Sequence, residues 1–177
     1  MSIENKRREV LFSKEAIAER TAELGKILTT NYAEKNLLVI SLLKGSFIFT
    51  ADLVRQIDLP VRIEFMTTSS YGHSEESSGS VRIVQDINVE ELSQFDVLIV
   101  DDITDSALTM TGVLEILSKR NPRSIKACVL LDKPSRRKVD YEPDYVGFEI
   151  PDMFIVGYGL NYGDYFRNVD HVFAFVD

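Results

Sequence analysis

Val97-Leu98-Ile99-Val100-Asp101-Asp102-Ile103-Thr104-Asp105-Ser106-Ala107-Leu108-Thr109 carries four apolar residues straight into three carboxylates within five positions, then into Ser106, Thr109 and an amphipathic run. A buried strand that ends in acids and hydroxyls at a helix start is how an open α/β sheet presents a ligand site. The hydroxyls and the free backbone N–H groups of a helix start suit a phosphate. Carboxylates have the wrong sign for phosphate, so they face something else: a sugar diol, a Mg²⁺ ion or a protonated base. Phosphate donors beside carboxylates point to a sugar phosphate.

Outward from that stretch, the pattern alternates strands and helices. Downstream, the helix is expected from about Ser106 to Lys119, with Leu108, Val113, Leu114 and Leu117 inward, followed by an apolar strand over Ile125–Leu131. Shorter strands are expected at Tyr145–Phe148, Phe154–Gly157 and His171–Val176. Upstream, Ser13 is a plausible N-cap for a helix to about Tyr32, with Ile17, Leu24, Ile27 and Leu28 as its stripe. Leu37–Leu42 reads as a buried strand, Leu43–Ser46 as a turn, and Phe47, Phe49, Leu53 and Ile57 as a helix running up to Pro60. Val61–Met66 alternates as a half-exposed strand, and Val81–Val84 is another short one. Buried strands alternating with helices argue for a mostly parallel sheet covered on both faces. The serine-rich stretch Ser69–Ser80 is long and polar, and reads as a lid or binding loop carrying Tyr71.

Size and composition narrow the class. At 177 residues the chain fits one domain, 1–177, with no repeat or linker, and 45% apolar and 27% charged residues are ordinary for a globular protein. The lone Cys128 lies in an apolar run and reads as a small buried hydrophobe in a reducing compartment. The N-terminal residues lack an apolar signal core and no run is long enough to span a bilayer, so a cytoplasmic protein with no membrane partner is expected. A net charge of −8 disfavours nucleic acid. The cluster Arg136-Arg137-Lys138 reads as a solvated loop.

Three readings compete for Asp101, Asp102 and Asp105: a solvated strand end, an acidic metal pocket for phosphoryl transfer, and a ribose-phosphate cradle. The metal pocket wants a further carboxylate on another strand end, which nothing obvious supplies. In the cradle, Asp101 and Asp102 accept from the 2′ and 3′ hydroxyls. Ser106, Thr109 and the neighbouring amides of Ala107 and Leu108 hold the 5′-phosphate, and Asp105 lies near the reacting carbon. No Walker loop and no Gly-x-Gly-x-x-Gly occurs.

These residues resemble a known family. Val97–Met110 looks like the phosphoribosyl-pyrophosphate signature of type I phosphoribosyltransferases. The resemblance extends over nearly the whole chain to the hypoxanthine(-guanine) branch through Leu43–Ser46, Ser69–Gly72, Leu131–Pro134 and Val146–Pro151 on to Arg167. It implies the type I phosphoribosyltransferase fold: α/β, a mostly parallel twisted sheet flanked by helices, with a small hood formed by terminal segments and a mobile loop at Ser70 and Tyr71. It also implies purine salvage, with Mg²⁺ as cofactor. Ribose 5-phosphate passes from phosphoribosyl pyrophosphate to N9 of a 6-oxopurine, giving IMP or GMP. The implied roles are Asp105 as general base at purine N7, Lys133 as donor to O6, Phe154 as the stacking ring and Ile155 as a main-chain partner of the base. Lys44, through a cis Leu43–Lys44 peptide, Gly45 and Arg167 are implied to bind pyrophosphate. From the residues alone, Lys44 would pass as a surface lysine, and Phe154 and Ile155 as core.

The chain departs from the family at Asp101, where Glu is usual, at Ala107, where Gly is usual, and at Asn161, where an Asp usually binds metal. Asn161 keeps a neutral carbonyl oxygen beside Asp101 and Asp102 but removes a charge, so weaker metal and pyrophosphate affinity is expected. Two alternatives stand beside the enzyme: a phosphoribosyl-pyrophosphate-sensing regulator that binds RNA on the same fold, and a weakly active relative with altered base specificity. Exposed apolar side chains on the early helices would favour a homodimer or homotetramer.

Overall fold

Successive side chains of β2 (Leu37–Leu43) enter two different cores. Leu37 and Val39 meet Ile17, Leu24 and Leu28 of α1 (Lys14–Asn31) and Phe49 and Leu53 of α2 (Phe47–Val54). Leu38, Ile40 and Leu42 meet Met110, Val113 and Leu117 of α3 (Leu108–Ser118). The same division recurs in β5 (Asp96–Thr104), with Leu98 and Val100 on the α1 side and Val97 and Ile99 on the α3 side. In β6 (Ser124–Asp132), Cys128 and Leu130 face α1, and Ala127 and Val129 face α3. Helices on both faces explain why these strands read as unbroken apolar runs. Each such leucine or valine, fully buried, contributes on the order of 2 kcal/mol. Burial also pushes the Cys128 thiol up to about 12, against the pull of Arg20, which leaves it protonated and unreactive.

The computed structural model describes residues 6–70 and 81–176. Its main sheet has six strands in the order β4-β3-β2-β5-β6-β7, with β3 at Arg62–Ser70, β4 at Val81–Gln85 and β7 at Tyr145–Glu149. All neighbours are parallel except β3 and β4. From β2 the chain crosses through α2 to β3 on one side; from β5 it crosses through α3 to β6 on the other. The carboxyl ends of β2 and β5 therefore flank the point where strand order reverses, the place open α/β sheets bind ligands. A second, three-stranded antiparallel sheet joins β1 (Arg7–Phe12), β9 (Val172–Val176) and β8 (Ile155–Val156). Among the described residues no helix is long and apolar enough to cross a membrane.

Several expectations need correction. β5 does not stop at Val100 but continues to Thr104, because Asp101, Ile103 and Thr104 keep pairing with Val129, Leu131 and Asp132 of β6. The acids therefore sit on a strand held by its ladder, not on a loose end. α3 starts at Leu108, not Ser106, since Ala107 takes a left-handed conformation at φ 67° and breaks the helical path. α2 ends at Val54, and the expected remainder to Ile57 is a turn. The last two expected strands shrink to Ile155–Val156 and Val172–Val176 and leave the parallel sheet for the smaller one, where Val172–Val176 pairs with Ile155–Val156 on one side and, on the other, with Arg7–Phe12, for which the sequence predicts no strand. On β3 the apolar residues Ile63 and Phe65 are the exposed ones, while Met66 is buried.

Candidate active site

Asp101 and Asp102 are consecutive residues near the carboxyl end of β5. Adjacent strand residues point to opposite faces, yet here both acids are half-buried and both carboxyls accept from backbone amides of the same stretch. The Asp102 amide donates to Asp101 Oδ1 at 2.9 Å, and the Ile103 amide donates to Asp102 Oδ1 at 2.8 Å. Burial, and then the like charge of Asp102, push the Asp101 carboxyl well above the usual carboxylate range. Burial raises Asp102 too, while hydrogen bonding with Asp101 and the Ile103 amide and the charge of Arg167 pull it back. Such a pair is short of hydrogen-bond donors or of positive charge.

Beyond it the chain turns at Asp105, Ser106 and Ala107 into α3. Ser106 Oγ accepts from the Leu108 amide at 3.3 Å, and the first intrahelical bond runs from the Thr111 amide to the Ala107 carbonyl at 3.0 Å. The amides of the first turn thus have no intrahelical partner and converge on one spot with the positive end of the helix dipole. A hollow of about 140 Å³ lies here, lined by Asp101, Thr104, Asp105, Ser106, Ala107 and Thr109. Donors and acceptors are therefore adjacent but separate: amides and hydroxyls at the helix start, carboxylates at the strand end.

The turn after β2 closes against this pair. The Leu43–Lys44 peptide is cis, Lys44 is exposed, and Gly45 is packed so closely on Asp102 that a Cβ there would lie 1.8 Å from its Oδ2. Gly159 in turn has φ +101° and touches Gly45: a Cβ would lie 2.1 Å from the Gly45 carbonyl oxygen. Arg167 Nη1 donates to the Gly159 carbonyl at 2.7 Å, and the Gly159 amide donates to the Arg167 carbonyl at 2.9 Å. Lys44, Gly45, Asp102, Gly159 and Arg167, remote in sequence, are in this way assembled around one crevice.

Its third wall is the segment after β6. Lys133 is only 7% exposed, and its amide donates to the Thr104 carbonyl at 2.9 Å. Arg137 is not the solvated residue expected. Its guanidinium donates to the carbonyls of Thr104, Asp105, Lys133 and Tyr141 and pairs with the Asp132 carboxylate. Arg136 bridges Asp105 at 3.3 Å and Asp152 at 3.4 Å on the surface. From the smaller sheet comes Phe154, 60% exposed and not core as its apolarity suggested, with its ring edge-on to Tyr162 at 5.7 Å; Ile155 beside it is buried.

Comparison with known proteins agrees with this geometry. Residues 9–163 match the phosphoribosyl transferase domain family. The chain belongs to the phosphoribosyltransferase family. A hypoxanthine-guanine phosphoribosyltransferase of Aquifex aeolicus is 46% identical over 99% of this chain and 98% of its own. A hypoxanthine phosphoribosyltransferase of Haemophilus influenzae is 50% identical over 93% of both chains. Among solved structures, a hypoxanthine phosphoribosyltransferase of Staphylococcus aureus superimposes with a TM-score of 0.93 at 41% identity, covering 98% of this chain and 94% of that one. These relatives put the chain in the hypoxanthine(-guanine) branch of the phosphoribosyltransferases and bear out the fold class read from sequence.

The phosphoribosyltransferase fold thus brings together Lys44, Gly45, Asp101, Asp102, Asp105 to Thr109 and Arg167. It sets Lys133 beside Thr104. Asn161 is exposed, and its side-chain nitrogen is bonded to the Gly163 carbonyl. Ser70 closes β3, and Tyr71 lies outside the described residues. Sequence reasoning missed Arg137 and Gly159. Arg137 works through backbone carbonyls, which leave no pattern in sequence; Gly157-Tyr158-Gly159 did carry a signal, a glycine pair at the turn that abuts Gly45.

Proposed function

We propose that the crevice transfers ribose 5-phosphate from phosphoribosyl pyrophosphate to N9 of hypoxanthine, and of guanine, in purine salvage, with residues 1–177 acting as one unit. The observation that carries this reading is the carboxylate pair at the end of β5 beside the open first turn of α3, with Gly45 and Arg167 against the same pair. The names and near-complete coverage of the relatives support the substrate class. They give no support to an RNA-binding regulator.

In this reading the first-turn amides of α3, with Ser106 and Thr109, hold the 5′-phosphate, and Asp101 and Asp102 accept from the ribose hydroxyls. The Lys44–Gly45 peptide and Arg167 hold the pyrophosphate, where a guanidinium can form paired hydrogen bonds to phosphate oxygens. Phe154 lies flat on the purine, Ile155 meets its edge through the main chain, and Lys133 donates to O6. A donor at O6 favours a 6-oxopurine over adenine, whose 6-amino group would leave the buried Lys133 ammonium facing another donor. The bond from C1′ to the pyrophosphate oxygen breaks and the pyrophosphate leaves with the electron pair. The C1′–N9 bond forms, and the proton at N7 passes to Asp105. Fixed charges and dipoles around the leaving group provide the main stabilisation of that transition state.

The donor set also fits Mg²⁺. Among the described residues no three His, Cys, Asp or Glu side chains form a cage of their own, so a divalent ion would share its shell with ligand oxygens and water. Asp101 and Asp102 would hold it, with the Asn161 carbonyl oxygen as a neutral neighbour. Bound Mg²⁺ neutralises diphosphate charge. The exposed Phe47, Ile63 and Phe65 support self-association as a dimer or tetramer.

The test is turnover. Hypoxanthine with phosphoribosyl pyrophosphate and Mg²⁺ is expected to give IMP and pyrophosphate, with guanine also accepted. Absence of nucleotide from hypoxanthine, guanine and xanthine alike would overturn the proposal.

A further inference from the structure

Tyr158 has a backbone no tyrosine adopts readily. It sits at φ 50° between Gly157 and Gly159, both also at positive φ, and is nevertheless buried. Its hydroxyl donates to the carboxylate of Asp52, on α2, and Thr21 of α1 faces the same phenol. Asp52 is also paired with Arg55, so the carboxylate keeps a counter-charge.

Both partners belong to segments that wall the crevice. α2 begins immediately after the Lys44-Gly45-Ser46 turn, and Thr50, two residues before Asp52, belongs to a buried hydroxyl cluster with Ser41 and Ser46 at 2.8 Å that underlies the turn. On the other side, the Tyr158 amide donates to the Val169 carbonyl at 2.8 Å. Its neighbour Gly159 is bonded to Arg167 through both backbone and guanidinium, and abuts Gly45. The Tyr158–Asp52 hydrogen bond therefore ties the segment carrying Arg167 to the helix that carries the Lys44–Gly45 turn.

We infer that Asp52 and Tyr158 form a clasp that sets the spacing between Gly45 and Arg167, and so positions the pyrophosphate half-site without touching substrate. The inference rests on the functional reading above. It predicts a selective defect, because the Asp52–Tyr158 bond links the segments of Gly45 and Arg167 directly, whereas Lys133, just after β6, and Phe154 and Ile155, at the start of β8, make no hydrogen bond to either partner.

Y158F removes only the hydroxyl, and D52A removes a partly exposed carboxylate and leaves no core cavity. Pyrophosphate binding measured by calorimetry with Mg²⁺ should weaken about tenfold in each, the size expected for losing a hydrogen bond to a charged group. The KM for phosphoribosyl pyrophosphate should rise in step, while that for hypoxanthine stays within about twofold. D52N, which keeps an acceptor for the phenol, should restore most of the affinity. The double variant D52A/Y158F should be no worse than either single one, since both remove one shared interaction. Unchanged pyrophosphate affinity in Y158F and D52A would overturn the clasp, as would equal losses for both substrates or additive losses in the double variant. A parent protein that turns over hypoxanthine while the variants bind pyrophosphate normally would sink the clasp alone. A parent that binds no pyrophosphate would sink the functional reading with it.

Discussion

Asp101 is held where a carboxylate is least stable, half-buried beside a second acid. Burial and that neighbour raise its folded pKa above the unfolded value of 3.8, so folding disfavours the charged form. The cost is absent below the unfolded pKa and grows as the pH rises toward the folded one. Asp101→Asn keeps an oxygen for the Asp102 amide and removes the charge. It should melt higher than the parent, with a gap that opens as the pH rises above the unfolded value of 3.8, and bind phosphoribosyl pyrophosphate far more weakly. Thermal melts on both sides of that value check the first half and calorimetry the second; a variant that melts lower at neutral pH would refute the electrostatic account. At this scale the sequence was partly legible. Three acids and two hydroxyls at a strand-to-helix passage announced a ligand site, but Phe154 looked like core because apolarity does not say which residue a two-residue strand leaves outside.

At the scale of elements, the decisive joint is the start of α3. Ala107 is buried and left-handed at φ 67°, and its own side chain caps nothing. A Cβ in that region costs on the order of 1–3 kcal/mol, and glycine removes the cost at the expense of a more flexible unfolded chain. Ala107→Gly should therefore stabilise the protein by about 0.5–1 kcal/mol. In urea denaturation the midpoint should move up with the slope unchanged, and a lower midpoint would contradict the strain. β2, β5 and β6 were readable because both their faces are covered and their apolar runs are continuous. β1 was not: Arg7, Arg8 and Glu9 hide the strand, and its partner β9 lies at the other end of the chain, where no local pattern can reveal the pairing. Arg137 stayed hidden for a related reason, since its partners are carbonyls of three separate segments.

For the whole molecule, the arrangement of layers divides the proposed work. The parallel sheet, at the reversal of strand order between β2 and β5, supplies the carboxylates, the helix start and the Lys44–Gly45 turn. The three-stranded sheet and its flanking turns supply the exposed ring of Phe154 and the guanidinium of Arg167. Neither layer holds the complete set, so the site exists only where Gly159 meets Gly45. A crystal structure with bound IMP tests this most directly. The account predicts the 5′-phosphate on the first-turn amides of α3, the ribose hydroxyls on Asp101 and Asp102, and the base between Phe154 and Lys133. Nucleotide bound elsewhere, with the hollow before α3 closed, would contradict it.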